Sequence, residues 1–432
     1  MAQRYDTYKD SGVQWLGEIP GHWDCVKLKT VVSKIESGTS VNGSTSQFAN
    51  KSEYGVLKTG AVSFRVFNPL QNKLVEGAEK QRLSCPVTKN TIIVSRMNTP
   101  ELVGSCAIVE KDYPNLFLPD RLWQVHFKDN ANIKYLHWIL NGHYVRTRYA
   151  AICVGSSSTM QNISQGQFLE TKITLPSLPE QNSIVSYLDD KCGKIDKMLE
   201  GKQKQIELLA EMKQRIIADA VTRGLNPDVK MKATNIPWLP EIPEHWEMTK
   251  VSSHFKQRNE KVSDKDYPAL SVSKQGVTPQ LANVALSNAE GSSRKLVKVG
   301  DYAVNSRSDR KGSCGVSKYE GSVSLITIVL EPFNIDGDYV HYLFRSNPWI
   351  EEFYRNGRGI VADLWTTNYQ MMKSMYMPIP PRSEQHAIVS FIKEKEEKID
   401  ALTSKLQQEI ESIKEYKQRL ISDVVTGQIK VC

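Results

Sequence analysis

The sequence predicts a mixed α/β protein made of two tandem, pseudo-symmetric halves, each an α/β domain followed by a long helix. Two repeats predict this arrangement. Residues 180–222 return without a gap as residues 384–426, 204 positions later, and the segment WLGEIPGHW at residues 15–23 returns as WLPEIPEHW at residues 238–246. Because the beginning and the end of each half are both repeated, we interpret the whole chain as an internal duplication.

The first element is an N-terminal repeat segment, residues 1–22. Its tryptophan Trp15 and the following Trp23 return as Trp238 and Trp246. Exposed tryptophans stack on nucleic-acid bases, but the more common role of such large aromatic side chains is to fill a domain core. We expect these four residues to be buried anchors at the entry of each domain.

The next element is a globular domain, residues 23–176, and its counterpart lies in residues 225–380 together with a polar linker. Both regions contain short β-like runs such as TIIV at residues 91–94, separated by Gly, Asn, Ser and Pro. The first half is longer by 19 residues, and the whole difference lies before Tyr135. Since loops tolerate insertions and carry specificity, the two halves are predicted to present different surfaces.

Each domain is followed by a helical spacer, at residues 177–224 and 381–432. Apolar residues recur there at spacings of three and four, which is the pattern of an amphipathic helix. Gly224 and Gly427 stand where stop residues are expected. A helix of this size is on the order of 65 Å long. One such helix cannot bury its apolar stripe alone, so we expect the two to pack as an antiparallel coiled coil.

The charge and the motifs favour binding over catalysis. The formal net charge of +8 suits a polyanionic partner. The chain has no phosphate-binding loop of the GxxxxGK[ST] or GxGxxG type, and no HExxH or CxxC, so no catalytic or metal-ligating residues are predicted. Residues 396–398 imitate a nuclease ExK motif but are predicted, like Asp196 and Asp400, to lie on a helix face. No run is apolar enough to cross a membrane, so we expect a cytoplasmic protein.

Polar, donor-rich loops in both halves are the candidate DNA-binding residues. Arg, Asn and Gln suit guanine and adenine edges, whereas Ser, Thr and Lys suit phosphates. For the paired residues Arg96 and Arg307, an internal structural role is an equal alternative. The candidates are Arg96, Asn98, Ser156, Ser157, Ser158, Thr159 and Gln161 in the first half, and Arg307, Arg310, Lys311, Arg358, Thr366, Thr367 and Asn368 in the second.

The repeated WLxEIPxHW segment, the Pro-rich approach to Glu180-Gln181 and Glu384-Gln385, and the long helices that end in AVT or VVT resemble the specificity subunit of type I restriction-modification systems. The resemblance covers essentially the whole chain. It implies two target-recognition domains that read a bipartite, asymmetric double-stranded DNA site, and conserved helices that set the spacing and bind two modification subunits. It further implies S-adenosylmethionine on the modification subunit, which methylates adenine at N6, and ATP and Mg on a restriction subunit.

Two other functions remain open from the residues alone. A coiled-coil scaffold with paired protein-binding domains would explain the helices without DNA. A self-sufficient DNA methyltransferase would need a cofactor loop, which the sequence lacks. Salt-dependent DNA binding distinguishes the first alternative, and S-adenosylmethionine binding by the isolated chain distinguishes the second.

Overall fold

The computed structural model describes residues 3–44, 46–50, 52–157, 160–280, 294–359 and 365–431. The chain divides into two compact units, residues 1–201 with 408–432, and residues 202–407. Each unit contains one mixed α/β domain and a portion of both long helices, which confirms the predicted fold class. None of the described helices is long and apolar enough to span a bilayer.

The α-helices of the described residues are α1 (Ile133–Leu140), α2 (His143–Ile152), α3 (Gln165–Leu169), α4 (Leu178–Arg223), α5 (Gly337–Arg345), α6 (Asn347–Arg355), α7 (Tyr369–Met372) and α8 (Arg382–Val425). The 46 residues of α4 and the 44 residues of α8 correspond to lengths of about 69 Å and 66 Å. Their bounds lie within about two residues of the repeated sequence segments.

The strands of the first unit are β1 (Tyr8–Asp10), β2 (Glu18–Pro20), β3 (Asp24–Lys27), β4 (Val32–Ser37), β5 (Gly55–Leu57), β6 (Asn72–Leu74), β7 (Pro86–Val87), β8 (Thr91–Ser95), β9 (Met97–Asn98), β10 (Cys106–Val109), β11 (Tyr113–Phe117), β12 (Leu122–Phe127), β13 (Val154–Ser157), β14 (Met160–Asn162) and β15 (Lys172–Leu175). Those of the second unit are β16 (Met231–Ile236), β17 (Leu239–Pro243), β18 (Glu247–Lys250), β19 (Phe255–Arg258), β20 (Lys261–Val262), β21 (Leu270–Ser273), β22 (Gly276–Pro279), β23 (Arg294–Val297), β24 (Tyr302–Asn305), β25 (Cys314–Val316), β26 (Gly321–Ser324), β27 (Thr327–Pro332) and β28 (Tyr376–Ile379).

The main sheet has the same antiparallel order in both units, β10-β8-β12-β4 in the first and β25-β24-β27-β19 in the second. Its inner faces bury residues such as Ile92 and Trp123, or Tyr302 and Leu330. The units differ beside it. The first adds a four-stranded sheet, β6-β5-β11-β7, where the second has the three-stranded sheet β20-β23-β26 and the hairpin β21-β22. The differences between the two halves therefore lie outside the repeated main sheet.

The entry segment of each half is fastened to the start of a long helix. Trp23 is fully buried, and its Nε1 donates to Glu180 Oε1 at 3.2 Å. His22 Nε2 lies 2.9 Å from the same oxygen. Trp246 is equally buried and donates to Glu384 Oε2 at 3.0 Å. We call this arrangement the entry clasp; it explains why tryptophan and glutamate recur 157 and 138 residues apart.

The glutamine after each clasp glutamate closes a second connection. Gln181 Oε1 accepts the N–H of Asn132, before α1, at 2.7 Å. Gln385 accepts the N–H of Asp336, before α5, at 3.0 Å. In both units the glutamine amide donates to the carbonyl five residues earlier at 2.9 Å. Because a buried polar side chain is stable only with its hydrogen bonds made, the Glu-Gln pair is a structural signature rather than a reactive site.

The ends of the long helices pack against the same clasps. Gly224 and Gly427 both have φ of +76°, the left-handed conformation in which glycine ends a helix. A Cβ at Gly224 would lie 3.2 Å from the Trp246 ring, and one at Gly427 would lie 3.1 Å from the Trp23 ring. The conformation requires glycine at both positions, and at Gly427 the space does so too, because a Cβ there would clash with the Pro20 ring; the predicted stop residues are confirmed.

The long helices pack together in antiparallel fashion, and a repeated ion pair marks the register. Lys417 Nζ lies 2.5 Å from Asp196 in the first unit, and Lys213 Nζ lies 2.9 Å from Asp400 in the second. Burial lowers the pKa of Lys213, but the carboxylates of Asp400 and Glu396 outweigh it, so the pKa is raised overall. Asp196 and Asp400 are helix-packing groups, as predicted.

The outer tryptophans of the entry segments are less buried than predicted. Trp23 and Trp246 are anchors, but Trp15 is 39% exposed and stacks on Tyr144 with ring centroids 4.9 Å apart. Trp238 packs edge-on against Trp349 at 5.5 Å. The expectation was therefore right for the inner pair and wrong for Trp15, which covers the outside of α2 instead of entering the core.

Candidate nucleic-acid interface

In the first unit, four of the predicted DNA-binding residues lie on the strands of one small sheet. β9 and β13 both pair with β14, and the register places Gln161 opposite Asn98. Ser156 and Ser157 lie on β13, whereas Ser158 and Thr159 lie outside the described residues. The sheet places the amide-bearing residues Asn98 and Gln161, which are more than 50 residues apart in the chain, opposite each other, and sequence spacing alone does not reveal this.

Arg96 leads into this sheet and is held from several directions. Its N–H donates to the Arg121 carbonyl at 3.1 Å, and its carbonyl accepts the N–H of Ile163 at 3.0 Å. Its guanidinium lies 5.8 Å from the centre of the Trp123 ring, a cation–π geometry. The Asn98 amide donates to a neighbouring serine hydroxyl at 3.4 Å. Arg96 thus has the internal contacts of a residue that fixes the strand edge.

In the second unit, Arg307, Arg358 and Thr366 form the corresponding edge. Thr366 bridges to both arginines in antiparallel register. Its N–H donates to the Arg358 carbonyl at 3.0 Å, and the Arg358 side chain is exposed. Arg307 donates from Nε to Asp309 at 3.0 Å. Beyond the paired arginines Arg96 and Arg307, the edge therefore carries the amides of Asn98 and Gln161 in the first unit and the exposed guanidinium of Arg358 in the second.

A basic turn lies next to this edge. Arg310 ends the 3-10 turn Ser308–Arg310 and is exposed. The following Lys311 pairs with Glu351 on α6, with Nζ 2.8 Å from the carboxylate. Exposed pairs of this kind contribute about 0–1 kcal/mol, so a phosphate can replace the carboxylate at little cost.

Two of the predicted residues have structural roles. Thr367 is fully buried, and its hydroxyl donates to the Phe353 carbonyl at 2.8 Å. It cannot reach DNA, because its polar atom is already used inside the domain. Asn368 is exposed, but its Oδ1 accepts the N–H of Met371 at 3.0 Å and caps α7. The polarity of these residues serves the backbone, a role that sequence alone does not distinguish from ligand binding.

The nuclease-like residues 396–398 are also structural. Glu396 accepts the Tyr342 hydroxyl at 2.7 Å and lies 3.3 Å from Lys213. Lys398 pairs with Glu394, one turn earlier on the same helix, at 2.5 Å. Glu396 therefore faces the domain, whereas Glu397 and Lys398 lie on the solvated face that the sequence predicted for the whole motif.

Further basic residues near the predicted interface escaped the sequence reasoning. Lys274 occupies the turn between β21 and β22, and Arg345 ends α5. Both line a cleft with Lys311 and the neutral face of His341. Burial, followed by the charge of Arg345, lowers the pKa of His341 to about 4. The available signal was SKQG at residues 273–276, a turn motif that carries a cation between two β-like runs.

Comparison with known proteins agrees with this architecture. A family model for the type I restriction modification DNA specificity domain matches residues 20–208. A putative type I restriction enzyme MjaX specificity subunit from Methanocaldococcus jannaschii is 24% identical over 431 residues, covering 96% of each chain. The EcoEI specificity subunit from Escherichia coli is 26% identical over 206 residues, 48% of this chain and 34% of the relative.

Two solved structures share the fold at low identity. A chain from a type I restriction-modification system, studied for complex assembly and conformational transition, superposes with a TM-score of 0.67 at 14% identity, covering 94% of this chain and 98% of that one. The HsdS subunit from Thermoanaerobacter tengcongensis gives 0.51 at 14% identity, covering 95% and 98%. With a domain match in the first half and a relative aligned through both halves, the chain is similar in sequence and in fold to the specificity subunits of type I restriction-modification systems.

Proposed function

We propose that this chain reads a bipartite, asymmetric double-stranded DNA target, one part with each domain. The observation that carries the proposal is the contrast between a repeated frame and unrepeated edges. The entry clasp recurs with donor–acceptor distances of 3.2 and 3.0 Å. The strand edges that carry the predicted DNA-binding residues share the paired arginines Arg96 and Arg307 but otherwise differ, with Asn98 and Gln161 in the first unit and Arg358 in the second. Different donors suit different base edges, so the two half-sites differ in sequence.

The long helices are proposed to set the unspecified gap between the half-sites. α4 and α8 are continuous over about 69 and 66 Å, and each carries the residues that fasten it to a domain. Readers of two half-sites one helical turn apart must be held about 34 Å apart by something stiff. The same helices are proposed to bind two modification subunits.

The chemistry is proposed to belong to the partners. S-adenosylmethionine would bind the modification subunits, which methylate adenine at N6, and ATP and Mg would serve restriction subunits. The complex would act in the cytoplasm, where the DNA is.

The first test is a methylation map of the host genome at single-base resolution, with the gene intact and deleted. Deletion is expected to remove a two-part, gapped N6-methyladenine motif. Unchanged methylation in a strain where the modification genes are expressed would contradict the proposal and favour the protein-binding scaffold.

The second test exchanges residues 23–176 for the matching region of a relative with another target. Only one half-site of the methylated motif is expected to change, because the second domain and the helices stay the same. A motif changed in both halves, or in neither, would contradict the modular reading.

A further inference from the structure

A cleft of about 580 Å³ opens in the second unit between α4, α5, the turn after β21 and residues 311–312. We propose that this cleft binds a phosphate of the DNA backbone, with Lys274 and Arg345 as its principal ligands. The proposal rests on the proposed function and adds a contact to the DNA backbone. Of the residues predicted from the sequence to bind DNA, only Lys311 lines this cleft. It concerns affinity rather than base choice, because phosphates are the same at every step of a duplex.

The position of Lys274 is fixed by its own main chain. The Arg345 guanidinium donates from Nη2 to the Lys274 carbonyl, so the α5 end and the β21-β22 turn are joined. Ser273 Oγ accepts the N–H of Gln275 at 3.1 Å and tightens the same turn. The Lys274 side chain is exposed. A cation on an anchored turn loses less entropy on binding an anion than one on a free loop.

The charges of the lining do not balance. Its charged residues are four cations and two carboxylates: Lys213, Lys274, Lys311, Arg345, Glu351 and Glu396. Lys213 and Lys311 are paired with carboxylates at 2.9 and 2.8 Å. Among the described residues, Lys274 and Arg345 have no carboxylate within 4.0 Å. Two cations remain for an external anion, and arginine together with lysine is a favourable ligand set for phosphate.

DNA fits this anion site better than an acidic segment of a partner subunit. The cleft shares Lys311 with the basic turn that carries Arg310, so it continues the predicted DNA surface. A cleft beside α1 in the first unit shares only the side of this lining formed by His137 and Trp138, the counterparts of His341 and Tyr342, and its charged residues are two cations and two carboxylates, Arg65, Lys134, Glu110 and Asp189. A partner bound twice would use a feature present in both units. Under the proposed function the two domains lie on different segments of one duplex, so a phosphate contact made by one unit need not recur in the other.

The test is the salt dependence of DNA binding by the chain assembled with its modification subunits. Lys274→Gln removes the side-chain charge and keeps the carbonyl that Arg345 holds. Binding to a duplex with the mapped target is measured between about 50 and 300 mM NaCl, and the slope of log affinity against log salt is expected to shrink by about 0.9. Lys298→Gln, an exposed lysine of the same unit outside the cleft, is the matched control. Lys274→Arg is expected to restore the slope.

Three results would overturn the assignment. An unchanged slope in Lys274→Gln would mean that the cleft binds no phosphate. An unchanged slope with weaker retention of the modification subunits would assign the cleft to an acidic protein segment. An equal loss in Lys298→Gln would reduce the effect to net charge. If the unmodified complex bound DNA without salt dependence, the proposed function itself would fail, and the comparison among variants would show this separately.

Discussion

The clefts beside α1 and α5 show how one frame came to carry two different surfaces. In the first unit, His137 Nε2 donates to the Arg65 carbonyl at 3.0 Å; in the second, Arg345 donates to the Lys274 carbonyl. Each bond joins the first domain helix to a turn that carries a cation. The clefts then differ, because the first is smaller, about 370 Å³, and its lining is balanced in charge. Phe64, beside Arg65, is 86% exposed.

This difference indicates that the two units remain similar where side chains fasten the long helices and have become different in the outward-facing loops. The clasp bonds agree between units to within 0.2 Å. In both units a side chain donates to a main-chain carbonyl of the turn, but the donor is His137 in the first unit and Arg345 in the second, and the residues around the turns differ. The proposed function requires this division, since it needs helices that are held alike in both units and domain surfaces that read different DNA sequences.

The largest expected effect comes from breaking the shared frame. Trp246→Ala removes a fully buried indole and leaves Glu384 without its Nε1 donor. We expect a loss of about 3–5 kcal/mol in the free energy of unfolding, the range for large aromatic truncations. Denaturant unfolding measures the loss, and hydrogen exchange identifies the unit affected.

Trp23→Ala is the matched variant in the first unit, where the same indole bonds Glu180. It is expected to cost a similar amount but to expose the amides of the first unit instead. If both variants exposed the same amides, the two clasps would not act as separate structural elements.

The sequence predicted the frame better than the edges. Apolar periodicity located α4 and α8, and Gly224 and Gly427 were recognised as stops, because helix signals are local. The bond of Trp23 to Glu180 spans 157 residues and leaves no local trace. The prediction that Thr367 binds DNA is wrong, because its hydroxyl bonds a carbonyl in the core. The sequence does not distinguish such a threonine from one on the surface.

A smaller effect is expected from acid, and chiefly in the second unit. Burial and the nearby Arg345 hold the pKa of His341 at about 4, against about 6.5 in an unfolded chain. Between these two pKa values the unfolded state binds the proton better than the folded state. The stability that neutral His341 contributes is therefore fully present above pH 6.5 and is lost as the pH falls toward 4. The pKa shift corresponds to roughly 3 kcal/mol.

His341→Asn removes this titration and is expected to flatten unfolding free energy against pH in that range. The matched variant is His137→Asn in the first unit, where burial also lowers the pKa of the imidazole. An acid sensitivity that persists fully in His341→Asn would assign it to other groups.

A still smaller effect is expected at the helix pair. Lys213→Glu would place three carboxylates together, since Lys213 lies 2.9 Å from Asp400 and 3.3 Å from Glu396. We expect a loss of about 1–2 kcal/mol, because the lysine is half-buried and the pair is worth more than a fully exposed one. Adding Asp400→Lys is expected to recover much of it. A double variant no more stable than the single one would mean that the ion pair does not contribute to the register.

The smallest expected effect tests the comparison of the two clefts directly. Arg65→Gln removes the cation that corresponds to Lys274 and keeps the carbonyl bonded by His137. Because the side chain is exposed, unfolding free energy should change by less than about 0.5 kcal/mol. Because Glu110 and Asp189 balance the lining, the salt slope of DNA binding should change by less than half as much as in Lys274→Gln. Equal changes in the salt slope would mean that the turns carrying Arg65 and Lys274 both bind phosphate. The net charge of a cleft would then not determine whether its turn contacts DNA.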